Sequence, residues 1–247
     1  MEENWPVDKD ETVDDLIIGG YKLLQGVRGY RFSIDSVLLA HFARVEGIQT
    51  VVDLGSGNAV IPIILAARSK QLHIAGVELQ PEMVDRARRS IGLNQLQERI
   101  AIYQGDIRRI QALLPGGYAE LVVSNPPFWR AKEGRISTNP EQAIARHELE
   151  LTIQELIEAA AYLLQQKGRL ALIHRADRLL EIAACCQEKH LYPRRIRMIH
   201  PFKDRPANLL LMEASKNLPG QLEIMPPLIL YEKPGLYCRE IRELYRS

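Results

Sequence analysis

Cysteine is scarce in this sequence, and long apolar runs are missing. The three cysteines include the adjacent pair Cys185 and Cys186, and none has the spacing of metal ligands or of a redox pair. We therefore expect buried, reduced thiols and no metal site. The longest apolar run, from Ala59 to Ala67, is far shorter than the roughly 20 residues that cross a bilayer.

The first residues also lack the basic and apolar regions of a signal peptide. Together with the short apolar runs, this predicts a cytoplasmic protein without a membrane partner. The 247 residues, 46% apolar and 26% charged, fit one α/β domain with extensions, or at most two domains.

The net charge of +1 conceals an acidic beginning. Residues 1–15 hold seven acids and one base, so the remaining residues carry 31 bases and 24 acids, a surplus of +7. This surplus is compatible with a polyanionic partner. Solvated surface charges of a small-molecule enzyme give the same count, so charge alone does not decide the class of substrate.

From residue 50 onward, apolar runs alternate with amphipathic segments, as in a parallel, doubly wound sheet. Thr152 and Glu155 form a capping box for a helix that Gly168 is expected to end. The last two strands are joined by a loop too short for a helical crossover, so we expect them to be antiparallel. The pattern predicts strands at 50–54, 73–78, 100–104, 119–124, 169–173, 194–199 and 208–214, and helices near 59–69, 81–93 and 177–188.

Extensions are expected on both sides of this unit. Gly19 and Gly20 separate two apolar runs within residues 16–25, which is typical of a hairpin. Ser33 or Asp35 can cap a following helix with an apolar face. We expect an N-terminal extension over 1–45, a main domain over 46–216 and a C-terminal extension over 217–247 with some strand and a final helical turn.

The predicted strand at 119–124 stops at Asn125, which two prolines and Phe128 follow. Proline fixes its own φ, lacks an N–H and keeps the preceding residue out of the α region. The corner therefore holds the Asn125 side-chain oxygen and the Pro126 carbonyl in place as acceptors for an NH₂ group, whose lone pair then points in a defined direction. Phe128 offers a face for stacking a planar base. An ordinary strand-to-loop turn is the alternative.

Gly55, Ser56 and Gly57 follow the first strand of the alternating unit, where glycines let a ligand approach the backbone. Position 60 is Val, so the third glycine of a dinucleotide site is missing. Asp53 precedes this loop. The pattern suits a ligand without a pyrophosphate.

Acids also stand at the next two strand ends. Glu78 closes the second strand, where an acid can accept from both ribose hydroxyls. Asp106 follows the third strand and could accept from an adenine amino group. Each alone could be a turn residue or a helix cap, but coincidence at three successive strand ends is improbable.

These motifs, with the Asn125-Pro126-Pro127-Phe128 corner, resemble motifs I to IV of the class I S-adenosylmethionine-dependent methyltransferases that methylate amino nitrogens. The resemblance covers about residues 25–215 and implies a Rossmann-like, seven-stranded, mostly parallel sheet with an antiparallel last strand. It implies S-adenosyl-L-methionine as the cofactor, no metal, and catalysis at Asn125, Pro126, Pro127 and Phe128. The cofactor-binding residues that the resemblance implies are Ser33, Asp35, Asp53, Gly55, Ser56, Gly57, Glu78, Asp106 and Asn125.

Three further segments, Gly29–Leu39, Ala145–Glu148 and His200-Pro201, are similar to bacterial tRNA(Val) adenine N6-methyltransferases. That family methylates the adenine immediately 3′ of the anticodon, which implies tRNA as the partner; we expect a monomer. The basic loop 130–146 and the cluster between Arg194 and Arg205 could contact phosphates. A solvated strand face explains the cluster equally well.

Three other catalytic functions remain open, whereas a non-catalytic RNA-binding module would leave the three strand-end acids without a purpose. A protein-glutamine methyltransferase uses the same Asn-Pro-Pro corner, but this sequence lacks a long N-terminal helical domain. A ribosomal RNA guanine N2-methyltransferase is indistinguishable on the corner alone. A nicotinamide-dependent oxidoreductase would leave the corner unexplained. His147 and Glu148 suggest a general base, but they fit the start of a helix better.

Overall fold

The computed structural model describes residues 7–16, 18–27, 33–126 and 151–245. Pro127 and Phe128 therefore lie outside the described residues, as do the basic loop 130–146 and the pair His147 and Glu148. None of the helices within the described ranges combines the length and apolar character needed to cross a bilayer.

Strands and helices alternate along most of the chain. In order, they are β1 (Glu11–Asp15), β2 (Lys22–Gly26), α1 (Ile34–Phe42), β3 (Thr50–Leu54), α2 (Val60–Arg68), β4 (His73–Glu78), α3 (Pro81–Leu93), β5 (Ile100–Gln104), β6 (Ala119–Ser124), α4 (Ile153–Leu163), β7 (Leu164–Arg175), α5 (Leu179–Glu188), β8 (Leu191–His200), β9 (Leu209–Lys216), β10 (Glu223–Ile224), β11 (Leu228–Ile229), β12 (Tyr231–Lys233), β13 (Leu236–Tyr237) and α6 (Arg239–Leu244).

The main sheet has the strand order β10-β8-β9-β7-β6-β3-β4-β5. Strands β3 to β7 are parallel, and β9 runs antiparallel between β7 and β8. This confirms the expected seven-stranded, mostly parallel sheet with an antiparallel last strand. The C-terminal segment adds β10 and β11, which both pair in parallel with β8.

The core consists of two apolar layers, one on each face of the sheet. Successive residues of a strand point to opposite faces, so Val51 belongs to the layer under α1, α2 and α3, whereas Val52 belongs to the layer under α4 and α5. Both valines are fully buried. Coverage on both faces explains why the central strands are almost continuously apolar.

The N-terminal hairpin and the end of α4 are two places where the boundaries differ from those that the sequence pattern predicts. The N-terminal hairpin exists, but its first strand is β1, and Leu16 and Ile18 lie buried in the connection around Gly19 and Gly20. Helix α4 begins at its capping box as predicted, yet it ends at Leu163 rather than at Gly168. The chain enters β7 directly, and the register between β6 and β7 shifts before Arg169.

An ion pair attaches the hairpin to α3. The Glu11 carboxylate accepts hydrogen bonds from both Nη atoms of Arg89, each at 2.6 Å, and from Nε of Arg86 at 2.9 Å. The Glu11 side chain is 2% exposed. Hydrogen bonds from Arg89, and then from Arg86, lower the pKa of Glu11 to about 2.

We expect Glu11→Gln to destabilise the protein by roughly 3 kcal/mol at pH 7, since one pKa unit corresponds to about 1.36 kcal/mol. The depressed pKa means that this stability is complete above the unfolded value of 4.5 and is lost as the pH falls toward about 2. Urea unfolding between pH 7 and pH 3 measures the difference. Asp10→Asn, at an exposed neighbouring acid, is the control, and equal stabilities of Glu11→Gln and wild type at pH 7 would contradict the prediction.

Candidate cofactor and substrate site

The carboxyl ends of β5, β4, β3 and β6 meet at one edge of the sheet, and hydrogen bonds connect them. The N–H of Gly105, which follows β5, donates to the carbonyl of Glu78 at 2.9 Å, and the Ser124 hydroxyl of β6 donates to the carbonyl of Leu54 at 2.7 Å. In open α/β sheets, ligands bind at this edge. Asp53, Glu78, Asp106 and Asn125 are therefore all carried by strand ends of one site region.

The loop after β3 is shaped by glycine. Gly55 and Gly57 have φ values of 80° and 53°, in the left-handed region that glycine adopts without strain. The Gly57 N–H donates to Oε2 of Glu78 at 2.9 Å, and Oε1 of Glu78 accepts from the Gln80 N–H at 2.9 Å. A side chain at Gly76 would place its Cβ 2.8 Å from the Ser56 hydroxyl oxygen, so β4 needs glycine there.

Two buried carboxyl groups lie beside this loop. Asp53 is fully buried, and neither of its oxygens has a hydrogen-bond partner among the described residues. Burial, and then the neighbouring Glu78, hold the pKa of Asp53 well above its usual range. Burial also raises the pKa of Glu78, although the amides of Gln80 and Gly57 act in the opposite direction. Among these two acids, only Asp53 thus lacks a donor from the described residues.

Of the other predicted cofactor residues, Asp106 follows β5, and Ser33 and Asp35 lie at the start of α1. Asp106 is engaged by Arg108, whose Nη2 lies 2.6 Å from Oδ2, and this hydrogen bonding lowers the pKa of Asp106. Ser33 precedes α1 as its N-cap residue, but its side chain makes no capping hydrogen bond. Burial raises the pKa of Asp35, in the first turn of the same helix.

Asn125, directly after β6, is partly exposed, and Pro126 is buried. The amide Nδ2 of Asn125 donates to the hydroxyl of Ser36 in α1 at 3.1 Å. Sequence reasoning did not single out Ser36, which is 89 residues away from Asn125 in the chain. The available signal was that Ser36 lies within the segment Gly29–Leu39, which resembles the tRNA(Val) adenine N6-methyltransferases.

Arg195 fits neither of the two alternatives for the cluster between Arg194 and Arg205, a set of phosphate contacts or a solvated strand face. Its side chain is buried, donates to the Phe42 carbonyl at 2.6 Å and lies with Cζ 4.1 Å from the centroid of the Phe42 ring. The pairing of β8 with β9 shifts register between Pro193 and Arg195, so a strict alternation does not hold there. Lys203 and Arg205 are exposed in the loop after β8.

The fold and this strand-end site together define a class I, S-adenosyl-L-methionine-dependent methyltransferase. The chain belongs to the methyltransferase small domain family, whose model matches residues 32–184. Two curated relatives are each named tRNA1(Val) (adenine(37)-N6)-methyltransferase. The Porphyromonas gingivalis protein is 31% identical over 85% of both chains, and the Tolumonas auensis protein is 30% identical over 83% of this chain and 84% of its own.

Solved structures support the fold. A predicted O-methyltransferase from Agrobacterium tumefaciens superposes with a TM-score of 0.70 at 24% identity, covering 86% of this chain and 97% of its own. Pyrococcus horikoshii TYW2, solved in complex with MeSAdo, superposes with a TM-score of 0.58 at 15% identity over 85% of this chain and 73% of its own.

The residues present fit S-adenosyl-L-methionine. This cofactor carries hydroxyl and ammonium donors, and the site offers the unpartnered oxygens of buried Asp53 together with a Glu78 carboxylate already oriented by two N–H groups. A Cβ added at Gly55 or Gly57 would meet no atom within 4 Å, so this loop borders open space. Asp53 and Glu78 are thus the residues that would hold the donors of the cofactor.

We expect Glu78→Gln to weaken S-adenosyl-L-methionine binding by roughly 1 to 3 kcal/mol. The amide would place an NH₂ group against the N–H of Gly57 or Gln80 and would remove one acceptor. Isothermal titration calorimetry measures the change. Glu98→Gln makes the same substitution at an exposed position before β5, at the opposite edge, and should bind as wild type; an unchanged affinity of Glu78→Gln would remove Glu78 from the site.

Proposed function

We propose that the protein methylates the exocyclic N6 of an adenine next to the anticodon of a tRNA. The observation that carries the proposal is the Asn125 amide, set at a strand end between the glycine loop of β3 and the start of α1. The curated relatives, which are named for this reaction, support the choice of substrate. We further propose that the protein acts in the cytoplasm as a monomer.

The proposed chemistry is chiefly alignment. When bound, S-adenosyl-L-methionine supplies an electrophilic methyl group. The Asn125 side-chain oxygen and the Pro126 carbonyl each accept a hydrogen bond from one N–H of the target amine, so that the nitrogen lone pair is directed toward the cofactor side of the site. Phe128 stacks on the base, which must be extruded from its neighbours to reach the site. The cofactor is held by the residues of three strand ends and of the start of α1, namely Asp53, Glu78, Asp106, Ser33, Asp35 and the loop Gly55-Ser56-Gly57.

We expect Asn125→Ala to lower the single-turnover rate of methyl transfer by about 100-fold or more, because the amine loses an aligned acceptor. Cofactor affinity should change far less. The measurement uses unmodified tRNA transcript and saturating cofactor, with mass spectrometry of the nucleosides.

The control is Asn94→Ala, since Asn94 bonds the hairpin backbone at Lys22 and lies outside the site. It should keep the rate even if stability falls. A near-normal rate for Asn125→Ala would contradict the positioning role. N2-methylguanosine as the product, or methylated glutamine in a protein substrate, would favour one of the other amino-nitrogen methyltransferases instead.

Binding of tRNA beyond the target base is proposed to rest on exposed basic residues at the same edge. Lys203 and Arg205 lie in the loop between β8 and β9, and β8 ends at the edge where β7 ends. Phosphate contacts release counterions, so the affinity should fall steeply with salt.

We expect Lys203→Glu to weaken tRNA binding and to reduce the slope of log affinity against log salt by about 0.7 to 0.9. Lys70→Glu makes the same charge change at an exposed site before β4, at the opposite edge of the sheet. Fluorescence anisotropy of labelled tRNA between low and moderate salt compares the two. Equal slopes for both variants would exclude Lys203 from the RNA contact.

A further inference from the structure

A buried serine bridges the first turn of α1 and the Asn-Pro-Pro corner. Ser36 is 6% exposed, and its hydroxyl oxygen lies 3.1 Å from Nδ2 of Asn125. The two residues come from elements far apart in the chain, and this hydrogen bond connects them directly. A side-chain amide carries a donor group and an acceptor group that exchange places when the amide rotates by half a turn. Because the hydroxyl oxygen of Ser36 accepts from the NH₂ group of Asn125, the amide oxygen of Asn125 faces away from Ser36.

The position of Ser36 is fixed by the anchoring of α1 at its opposite end. Arg68 donates to the carbonyls of Ala40 and Ala43, and Arg195 donates to the carbonyl of Phe42. Cations at a helix C-terminus satisfy its free carbonyls and interact favourably with its dipole. The helix that carries Ser36 is thus held against the sheet by two buried or half-buried arginines at its C-terminal end.

We propose that Ser36 is a positioning residue for methyl transfer: by accepting from Nδ2, it turns the Asn125 oxygen toward the target amine. This inference rests on the proposed role of Asn125. A flipped amide would present NH₂ to the amine and would repel it. Ser36 itself does not touch the substrate, and its effect passes through the orientation of one amide.

The test is a double-mutant cycle on the single-turnover rate, with Ser36→Ala, Asn125→Ala and the double variant at saturating cofactor and tRNA. We expect Ser36→Ala to lower the rate by about 5- to 10-fold, the size of one hydrogen bond, with little change in the KM for tRNA or in cofactor affinity by calorimetry. In the Asn125→Ala background, the same change should have no further effect. Ser36→Thr, which keeps the hydroxyl, should restore most of the rate.

Ser90→Ala is the matched control. Ser90 is also a buried helical serine, and its hydroxyl also accepts from an N–H of another segment, that of Leu24 at 3.0 Å. This variant should lower the thermal unfolding midpoint as much as Ser36→Ala and keep the wild-type rate. The comparison separates a loss of stability from a loss of orientation.

An unchanged rate for Ser36→Ala would overturn the inference and leave the proposed function intact. Equal losses in the wild-type and Asn125→Ala backgrounds would also overturn it, because the serine would then act independently of the amide. A wild-type rate for Asn125→Ala would overturn the proposed role of Asn125 together with the inference, so the two failures are distinguishable.

Discussion

The burial of two carboxyl groups at adjacent strand ends is the constraint around which the site is built. Removing an acid from water is costly unless donors compensate it. For Glu78, the N–H groups of Gly57 and Gln80 provide part of this compensation, whereas no described residue does so for Asp53. The hydrophobic layers on both faces of the sheet supply the stability that keeps such groups in place. A ligand with its own donors completes what the fold leaves open.

The alternation of strands and helices was predictable because apolar residues recur with a different period in each kind of element, and this period can be read from the local sequence. Strands β3 to β6 lie where the pattern predicts them, and this alone brought the acids to one edge. Contacts between distant segments were not predictable in this way. Ser36 meets Asn125 only through the packing of α1 on the sheet, and the inward turn of Arg195 depends on a register shift that no local period reveals. The early end of α4 has the same origin, because pairing with β6 overrides the helical pattern.

Arginine therefore has two physical roles in this protein. Buried or half-buried guanidinium groups, such as Arg89 and Arg195, bind carboxylates or helix carbonyls and hold the hairpin and α1 to the core. Exposed arginines such as Arg205 remain available to solvent and to anions. A count of basic residues along the sequence does not separate the buried residues from the exposed ones. The surplus positive charge therefore says little about the size of a surface that could bind an anion.

The pairing of the C-terminal segment with β8 protects the end of the sheet. A strand with an unpaired side presents a row of free N–H and C=O groups to any other chain, which makes it a template for aggregation. Strand β10 occupies this side of β8 near Arg195, and β11 occupies it near Ile199. Between them, the N–H of Met225 donates to the carbonyl of Ile196. Strands β10 and β11 cover the otherwise unpaired side of β8. Because each has only two residues, they expose a much shorter row of free N–H and C=O groups than one long strand in the same place would.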